Sequence, residues 1–221
     1  MNARRFESAE ELETQATALL ATHLQWPSPE PYGVMLAGGK TPLPVYRRLT
    51  EHPVSVSPSV YVFHGDERMT PVESPESNYG NTAPMIHALG IPPERVLRVH
   101  TDLSPARAAA RFDRDLAQFL KGGGRIGLGL LGLGQDGHTA SLFRQEDTER
   151  GKGHWAMAVT RRGGLDRVTV TRDLLLKIGL IVFLVTGREK TDTVEAFLRA
   201  PLDFPAGRAV VDACNVEVWV A

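Results

Sequence analysis

A single cysteine, Cys214, stands among 221 residues. One thiol cannot close an internal disulfide, so nothing in the chain calls for an oxidising compartment. The expectation for Cys214 is a small buried hydrophobe near the C-terminus. An excess of either charge is also lacking: 25 Lys and Arg stand against 26 Asp and Glu, a formal net charge of −1. That balance removes the broad electrostatic case for nucleic acid or an anionic membrane as partner. Long apolar runs are missing too, since Ile178–Val185 is far too short to span a bilayer. The stretch Met1–Glu11 is polar and charged, without the apolar core of a signal peptide, so the expected location is cytoplasmic. No internal repeat or low-complexity linker interrupts the chain. Its length fits one domain over residues 1–221.

Hydrophobic periodicity supplies the elements. A helix is expected over 8–24, where Leu12, Ala16, Leu19, Leu20 and Leu24 recur at helical spacing behind a Ser8/Glu11 capping-box pattern. Short apolar runs at Val34–Ala37, Val60–Phe63, Ile126–Leu131 and Leu180–Val185 read as buried strands. The stretches Trp155–Thr160 and Arg167–Thr171 alternate and read as strands, and Val216–Val220 closes the chain as another. Helices are expected from Thr41–Pro42, with Thr41 as cap, over Asn78–Leu89, from Ser104–Pro105 to Gly122–Gly124, and over Arg188–Arg199. Residues His64–Ser77 read as a polar loop and Gln145–Gly153 as a mobile one. Alternating strands and helices with unbroken apolar strands imply an α/β layer fold with a largely parallel sheet.

Four blocks carry chemistry-bearing residues just after expected strands, where open α/β sheets place their ligands. In Gly132–Phe143, an acid, Asp136, lies two residues from an imidazole, His138, on a glycine-rich turn. A carboxylate beside a histidine can fix its tautomer, and histidine titrates in the range that suits general base work. Gly38, Gly39 and Thr41 join a strand to a helix start, offering free backbone N–H groups and a positive helix end to a phosphate. Asp66 and Arg68 sit in the charged run His64–Arg68. Lys190 falls in the first turn of a helix, where its charge opposes the helix dipole unless an anion sits there.

Two other patterns point elsewhere. Gly127, Gly129 and Gly132 match the dinucleotide fingerprint by letter, but they lie inside a strand-like run rather than at a turn opening a long helix. NAD binding is set aside on that ground. His64, Asp66, Asp136 and His138 are metal-ligand types, yet no pair has helical zinc spacing and cysteine ligands are absent. A metal site stays open as a minor alternative.

Together the blocks LAGGKTP (36–42), GDERMTPVESPESNYG (65–80), GLGQDGHTASLF (132–143) and FLVTGREK (183–190) resemble the 6-phosphogluconolactonase family. That family belongs to a wider group with glucosamine-6-phosphate deaminases. The resemblance implies a three-layer α/β/α sheet and hydrolysis of 6-phosphoglucono-δ-lactone in the oxidative pentose phosphate route, with no redox cofactor and no obligatory metal. It implies His138 as general base with Asp136 orienting it, and phosphate on Gly38, Gly39 and Thr41 with charge from Lys190 and Arg167. Asp66 and Asn78 would bind or place sugar hydroxyls, and Arg68 or backbone N–H groups would face the oxyanion. A sugar-phosphate lactone is thus the expected partner, with the chain a monomer or homodimer. The deaminases usually carry a tyrosine where this chain has Arg68, and Asn-Glu-Pro where it has Leu142–Phe143. The chain departs from the lactonases at Arg144–Gln145, where Pro-Gly is usual, and at Arg161-Arg162-Gly163-Gly164, where a Lys-Pro-Pro stretch is common. A deaminase using Asp66 as base and a non-catalytic sugar-phosphate sensor stay open as alternatives.

Overall fold

The computed structural model describes residues 1–161 and 163–221. The strands are β1 (Asn2–Arg5), β2 (Tyr32–Leu36), β3 (Val60–His64), β4 (Asp66–Arg68), β5 (Val96–Leu97), β6 (Arg125–Gly132), β7 (Ala156–Val159), β8 (Arg167–Val170), β9 (Ile178–Val185) and β10 (Val216–Val220). The helices are α1 (Ala9–Leu24), α2 (Leu43–Glu51), α3 (Asn78–Ala88), α4 (Pro105–Lys121), α5 (Gln145–Arg150), α6 (Arg172–Leu175), α7 (Thr191–Arg199) and α8 (Pro205–Val210). Seven strands form an all-parallel sheet in the order β1-β10-β9-β6-β2-β3-β5. A separate antiparallel sheet runs β4-β8-β7.

Parallel strands covered on both faces have no solvated side, which is why β2, YGVML, is buried at every position. Its side chains alternate between two cores. Val34 and Leu36 join Leu12, Leu20, Val45, Leu49 and Met85 of α1, α2 and α3. Met35 joins Phe112 and Leu116 of α4 and Phe197 of α7 on the opposite face. The three-layer α/β/α architecture follows from that alternation.

Helix starts and stops follow backbone chemistry with two corrections. Ser8 Oγ accepts from the Glu11 N–H at 3.1 Å, but the Glu11 carboxylate bonds to the N–H of Glu7 (2.9 Å), one residue earlier than a capping box puts it. Thr41 does not cap α2. The helix starts after Pro42 without a side-chain cap, and Thr41 Oγ1 lies 3.3 Å from Thr186 Oγ1 instead.

Other expectations are also revised. The polar loop His64–Ser77 contains β4, and Gln145–Gly153 begins with α5, whose first turn is anchored by Asp147 accepting from the N–H groups of Phe143 and Arg144. Lys190 ends a 3-10 turn, Arg188–Lys190, just before α7. Cys214 is exposed, not buried. Gly127 and Gly129 lie within β6 for packing: a Cβ on Gly127 would lie 1.7 Å from the Tyr32 hydroxyl, and one on Gly129 would lie 2.8 Å from Ile178. Among the described residues no helix is long and apolar enough to cross a membrane.

Candidate active site

After β2 the chain moves to one side of the sheet, through β3 and β5. After β6 it moves to the other side, through β9 and β10, where the N-terminal β1 forms the edge. The gap between the carboxyl ends of β2 and β6 is therefore a topological switch point, the place where such sheets open a crevice. A cleft of about 180 Å³ lies there. It is lined by the loops after β2, β3, β6 and β9. Gly38, Gly39, Thr41, Asp66, Arg68, His138 and Lys190 all border it, from four separate stretches of sequence.

The turn carrying the acid and imidazole is tight. The Gly134 N–H donates to the His138 carbonyl (2.9 Å), and the Gly137 N–H donates to the Gly134 carbonyl (3.0 Å). Gly137 sits at φ +76°, a backbone region that favours glycine. A Cβ on Gly134 would lie 2.3 Å from His138 Nδ1 and 2.6 Å from Asp136 Oδ1, so the side-chain pair rests on bare glycine. His138 Nδ1 is hydrogen-bonded to Asp136 Oδ1. A carboxylate only accepts, so Nδ1 carries the proton, and in the neutral imidazole the lone pair is then on Nε2. Partial burial pushes the Asp136 carboxyl up, but the hydrogen bond and charge of His138 outweigh it and hold the group below its ordinary value. The pair is oriented for accepting a proton at Nε2.

Asp66 is held from both sides. Asn78 Nδ2 donates to its Oδ1 (3.1 Å) and its backbone carbonyl (2.8 Å), and Ser141 Oγ donates to its Oδ2 (2.6 Å). Asn78 does not reach the cleft; it is 2 % exposed and lies against Gly38, where a Cβ would fall 2.2 Å from Nδ2. Its position fits placing Asp66 rather than touching a ligand.

Glu67, a residue the sequence reading left without a role, fixes this corner. Its carboxylate accepts from the N–H groups of Arg68 (2.7 Å), Asn78 (2.8 Å) and Tyr79 (2.7 Å) and from Ser77 Oγ (3.2 Å). A carboxylate on the first turn of α3 satisfies donors that the helix leaves free. Burial pushes the Glu67 carboxyl up and the three backbone donors pull it back.

Arg167 is not in the cleft with Lys190. It lines an adjoining basin with Arg68 and Arg161, and the two hollows share Gly39, Lys40 and Arg68. Arg167 is 6 % exposed and donates to the Leu165 carbonyl at 3.0 Å. Burial, then the charge of Arg68, lowers its guanidinium below the ordinary value, although an arginine stays charged. Arg68 itself donates to the Glu76 carbonyl (2.5 Å), and its Nε is buried without a partner among the described residues. Of the Arg161–Gly164 departure, Arg162 lies outside the described residues.

The suggested metal-ligand types do not converge. His64 is 3 % exposed, with Nε2 bonded to Thr82 Oγ1 at 2.8 Å. Among the described residues no group of three or more His, Cys, Asp or Glu is placed to hold a metal ion. Ser141, Glu67, Lys40 and Phe143 were missed as contributors. Ser141 and Phe143 lie within the histidine block itself, but what they touch has no local signature.

A parallel sheet flanked by helices, with a polar cleft at its switch point, is the sugar-phosphate isomerase-like fold, and solved structures agree. A glucosamine-6-phosphate deaminase described as monomeric, 20 % identical, superposes with a TM-score of 0.81 over 100 % of this chain and 97 % of its own. The model described as glucosamine-6-phosphate isomerases/6-phosphogluconolactonase matches residues 6–219, and the chain belongs to that family. A 6-phosphogluconolactonase of Thermotoga maritima is 32 % identical over 190 residues, 84 % of this chain and 82 % of that one. One of Haemophilus influenzae is 30 % identical over 185 residues, 80 % of this chain and 79 % of the relative. A solved 6-phosphogluconolactonase of Thermotoga maritima, 27 % identical, covers 99 % of this chain and 98 % of its own with a TM-score of 0.78.

Proposed function

We propose that this chain hydrolyses 6-phosphoglucono-δ-lactone to 6-phosphogluconate, with His138 as general base and Asp136 as its orienting partner. The observation that carries the reading is the Asp136–His138 pair with its free Nε2, set beside a cleft whose wall includes Lys40, Arg68 and Lys190. The names of the related proteins support the same reaction.

The chemistry needs a base, a place for the phosphate and donors for a transient oxyanion. Water adds to the lactone carbonyl carbon while its proton passes to Nε2 of His138. The tetrahedral intermediate collapses, the bond from that carbon to the ring oxygen breaks, and Nε2 returns the proton to the departing oxygen. A base of this kind contributes about 10²–10⁴-fold, and holding water and lactone together adds to it. The phosphate fits the free N–H groups around Gly38 and Gly39, the Thr41 hydroxyl and the Lys190 ammonium. Arg167 and Arg68 add positive charge from the adjoining basin, and Arg68 is a candidate donor to the oxyanion. Asp66 accepts from a sugar hydroxyl, and Asn78 holds it in place. No cofactor or metal takes part in this scheme. The pathway would be the oxidative pentose phosphate route, in the cytoplasm, with one domain spanning the chain.

Arg68, where the deaminases usually carry a tyrosine, favours this over deamination with Asp66 as base. A sensor would have no use for the oriented imidazole.

The test is hydrolysis of freshly made lactone, corrected for the spontaneous rate, by wild type and His138→Ala, with and without chelator. Chelator-insensitive acceleration that the substitution removes while leaving KM near wild type is expected. Activity persisting in His138→Ala would sink the base. Ammonia release from glucosamine 6-phosphate without lactone hydrolysis would sink the lactonase.

A further inference from the structure

Among the described residues the His138 ring makes one hydrogen bond, from Nδ1 to Asp136, whose side chain is itself 63 % exposed. A second contact is present. The Phe143 ring lies 4.8 Å from the His138 ring, centroid to centroid, tilted by 50°. Phe143 is in turn covered: the Arg161 guanidinium carbon lies 5.0 Å from its ring centroid. Arg161, Phe143 and His138 thus follow one another in contact, and they come from two different segments. Phe143 follows the histidine turn, whereas Arg161 belongs to the connection between β7 and β8, at the stretch where this chain departs from the lactonases it resembles.

We infer that Arg161 clamps Phe143 against His138, so that the β7–β8 connection holds the general base in its working orientation. Phe143 and Arg161 are positioning residues on this account, since neither needs to touch the reacting atoms. An aromatic pair at this separation and tilt is attractive beyond simple burial. A guanidinium over a phenyl face is held by the ring quadrupole and by its own planar shape, which an ammonium lacks. An imidazole bonded through one nitrogen is fixed in position but not in tilt, and proton transfer from water depends on where the Nε2 lone pair points. Arg161 also lines the basin that holds Arg68 and Arg167, so an anion entering there meets the residue that braces the base.

The inference rests on His138 being the base, and its test separates the two. Arg161→Ala, Arg161→Lys, Phe143→Leu and the double variant Arg161→Ala/Phe143→Leu are compared with wild type for kcat and KM. Thermal melts are recorded for each to confirm folding. Arg161→Ala is expected to lower kcat about 2- to 5-fold, the size of an exposed cation–π contact, with Arg161→Lys recovering only part. Phe143→Leu should lower kcat further, and adding Arg161→Ala to it should then cost nothing more in kcat. Independent losses that multiply in the double variant would overturn the clamp. A readout without turnover accompanies these. The NMR signal of the His138 Cε1–H, assigned by its loss in His138→Ala, senses the Phe143 ring current and should move in Phe143→Leu and in Arg161→Ala. A signal unmoved in Arg161→Ala overturns the clamp. If the signal moves while His138→Ala keeps full activity, the base assignment fails and the clamp stands.

Discussion

Ser141 donates a 2.6 Å hydrogen bond to the Asp66 carboxylate across 75 residues of sequence. This contact joins the loop after β6, which carries His138, to β4, which carries Asp66. It ties the position of the His138 loop to that of Asp66 through a buried bond. Ser141 is fully buried, and its own N–H is tied to Thr169 Oγ1 at 3.2 Å.

Ser141→Ala removes one donor from a carboxylate that is only 9 % exposed. Leaving a buried acceptor short of a partner costs about 1–3 kcal/mol. The melting temperature should fall by about 2–4 °C for each kcal/mol lost. KM should rise more than kcat falls, because Asp66 is assigned to binding. An unchanged KM would mean that Ser141 does not set Asp66.

Asp136→Asn keeps the shape of the dyad but removes the charge that supports a protonated imidazole. Asp136 is largely exposed, so solvent screens part of its influence. We expect a loss of about 10- to 100-fold in kcat with KM near wild type, no more than the lower limit of what general base assistance supplies. Equal loss in binding and turnover, measured by isothermal titration with 6-phosphogluconate, would contradict an orienting role.

Gly38→Ala and Gly39→Ala should separate packing from backbone strain. At Gly38 a Cβ would lie 2.2 Å from the buried Asn78 amide that supports Asp66. At Gly39 a Cβ meets nothing within 4 Å, but φ is +86°. Gly39→Ala should cost about 1–2 kcal/mol of stability through the left-handed backbone. Gly38→Ala should cost about 1–3 kcal/mol by overpacking and also raise KM by displacing Asn78 and Asp66. Melts and steady-state kinetics on the pair decide it.

His64 gives the fold an acid sensitivity. Burial pushes its imidazole down to about 4, while in the unfolded chain it titrates near 6.5. The unfolded state therefore takes up the proton first. The His64 contribution is whole above pH 6.5, declines as pH falls from 6.5 to about 4, and declines no further below that. The slope approaches about 1.4 kcal/mol per pH unit within the window. Urea unfolding of wild type and His64→Gln at pH 7 and pH 5 isolates it. The wild type should lose more stability between the two than the variant, and equal losses would remove His64 from the account.

Much of the fold was legible in the sequence because it is written in local patterns. The runs Val34–Ala37, Val60–Phe63, Ile126–Leu131 and Leu180–Val185 all became strands of the parallel sheet. The glycine reading at 127, 129 and 132 held as well, with those residues inside β6. The edge strands β1 and β5 were not anticipated; β1 is exposed at all four residues and β5 is two residues long, too little for a period to register. Two strands of the antiparallel sheet, β7 and β8, show in the alternation of Trp155–Thr160 and Arg167–Thr171, but β4 does not, because three residues of Asp-Glu-Arg read as a charged loop.

The site divides along the same line. Sequence alone placed Asp136 two residues from His138 on a glycine turn, put Gly38, Gly39 and Thr41 at a strand-to-helix junction, and marked Asp66 and Lys190 after strands. Those are short-range relationships that the chain fixes by its own connectivity. Tertiary structure decided which of them share a cleft, set Arg167 in the adjoining basin apart from Lys190, and turned Glu67 into the anchor of α3. It also brought Ser141 to Asp66 and Arg161 to Phe143. Contacts between residues distant in sequence leave no periodicity behind, because their partners are chosen by the order of strands in the sheet and not by neighbours along the chain.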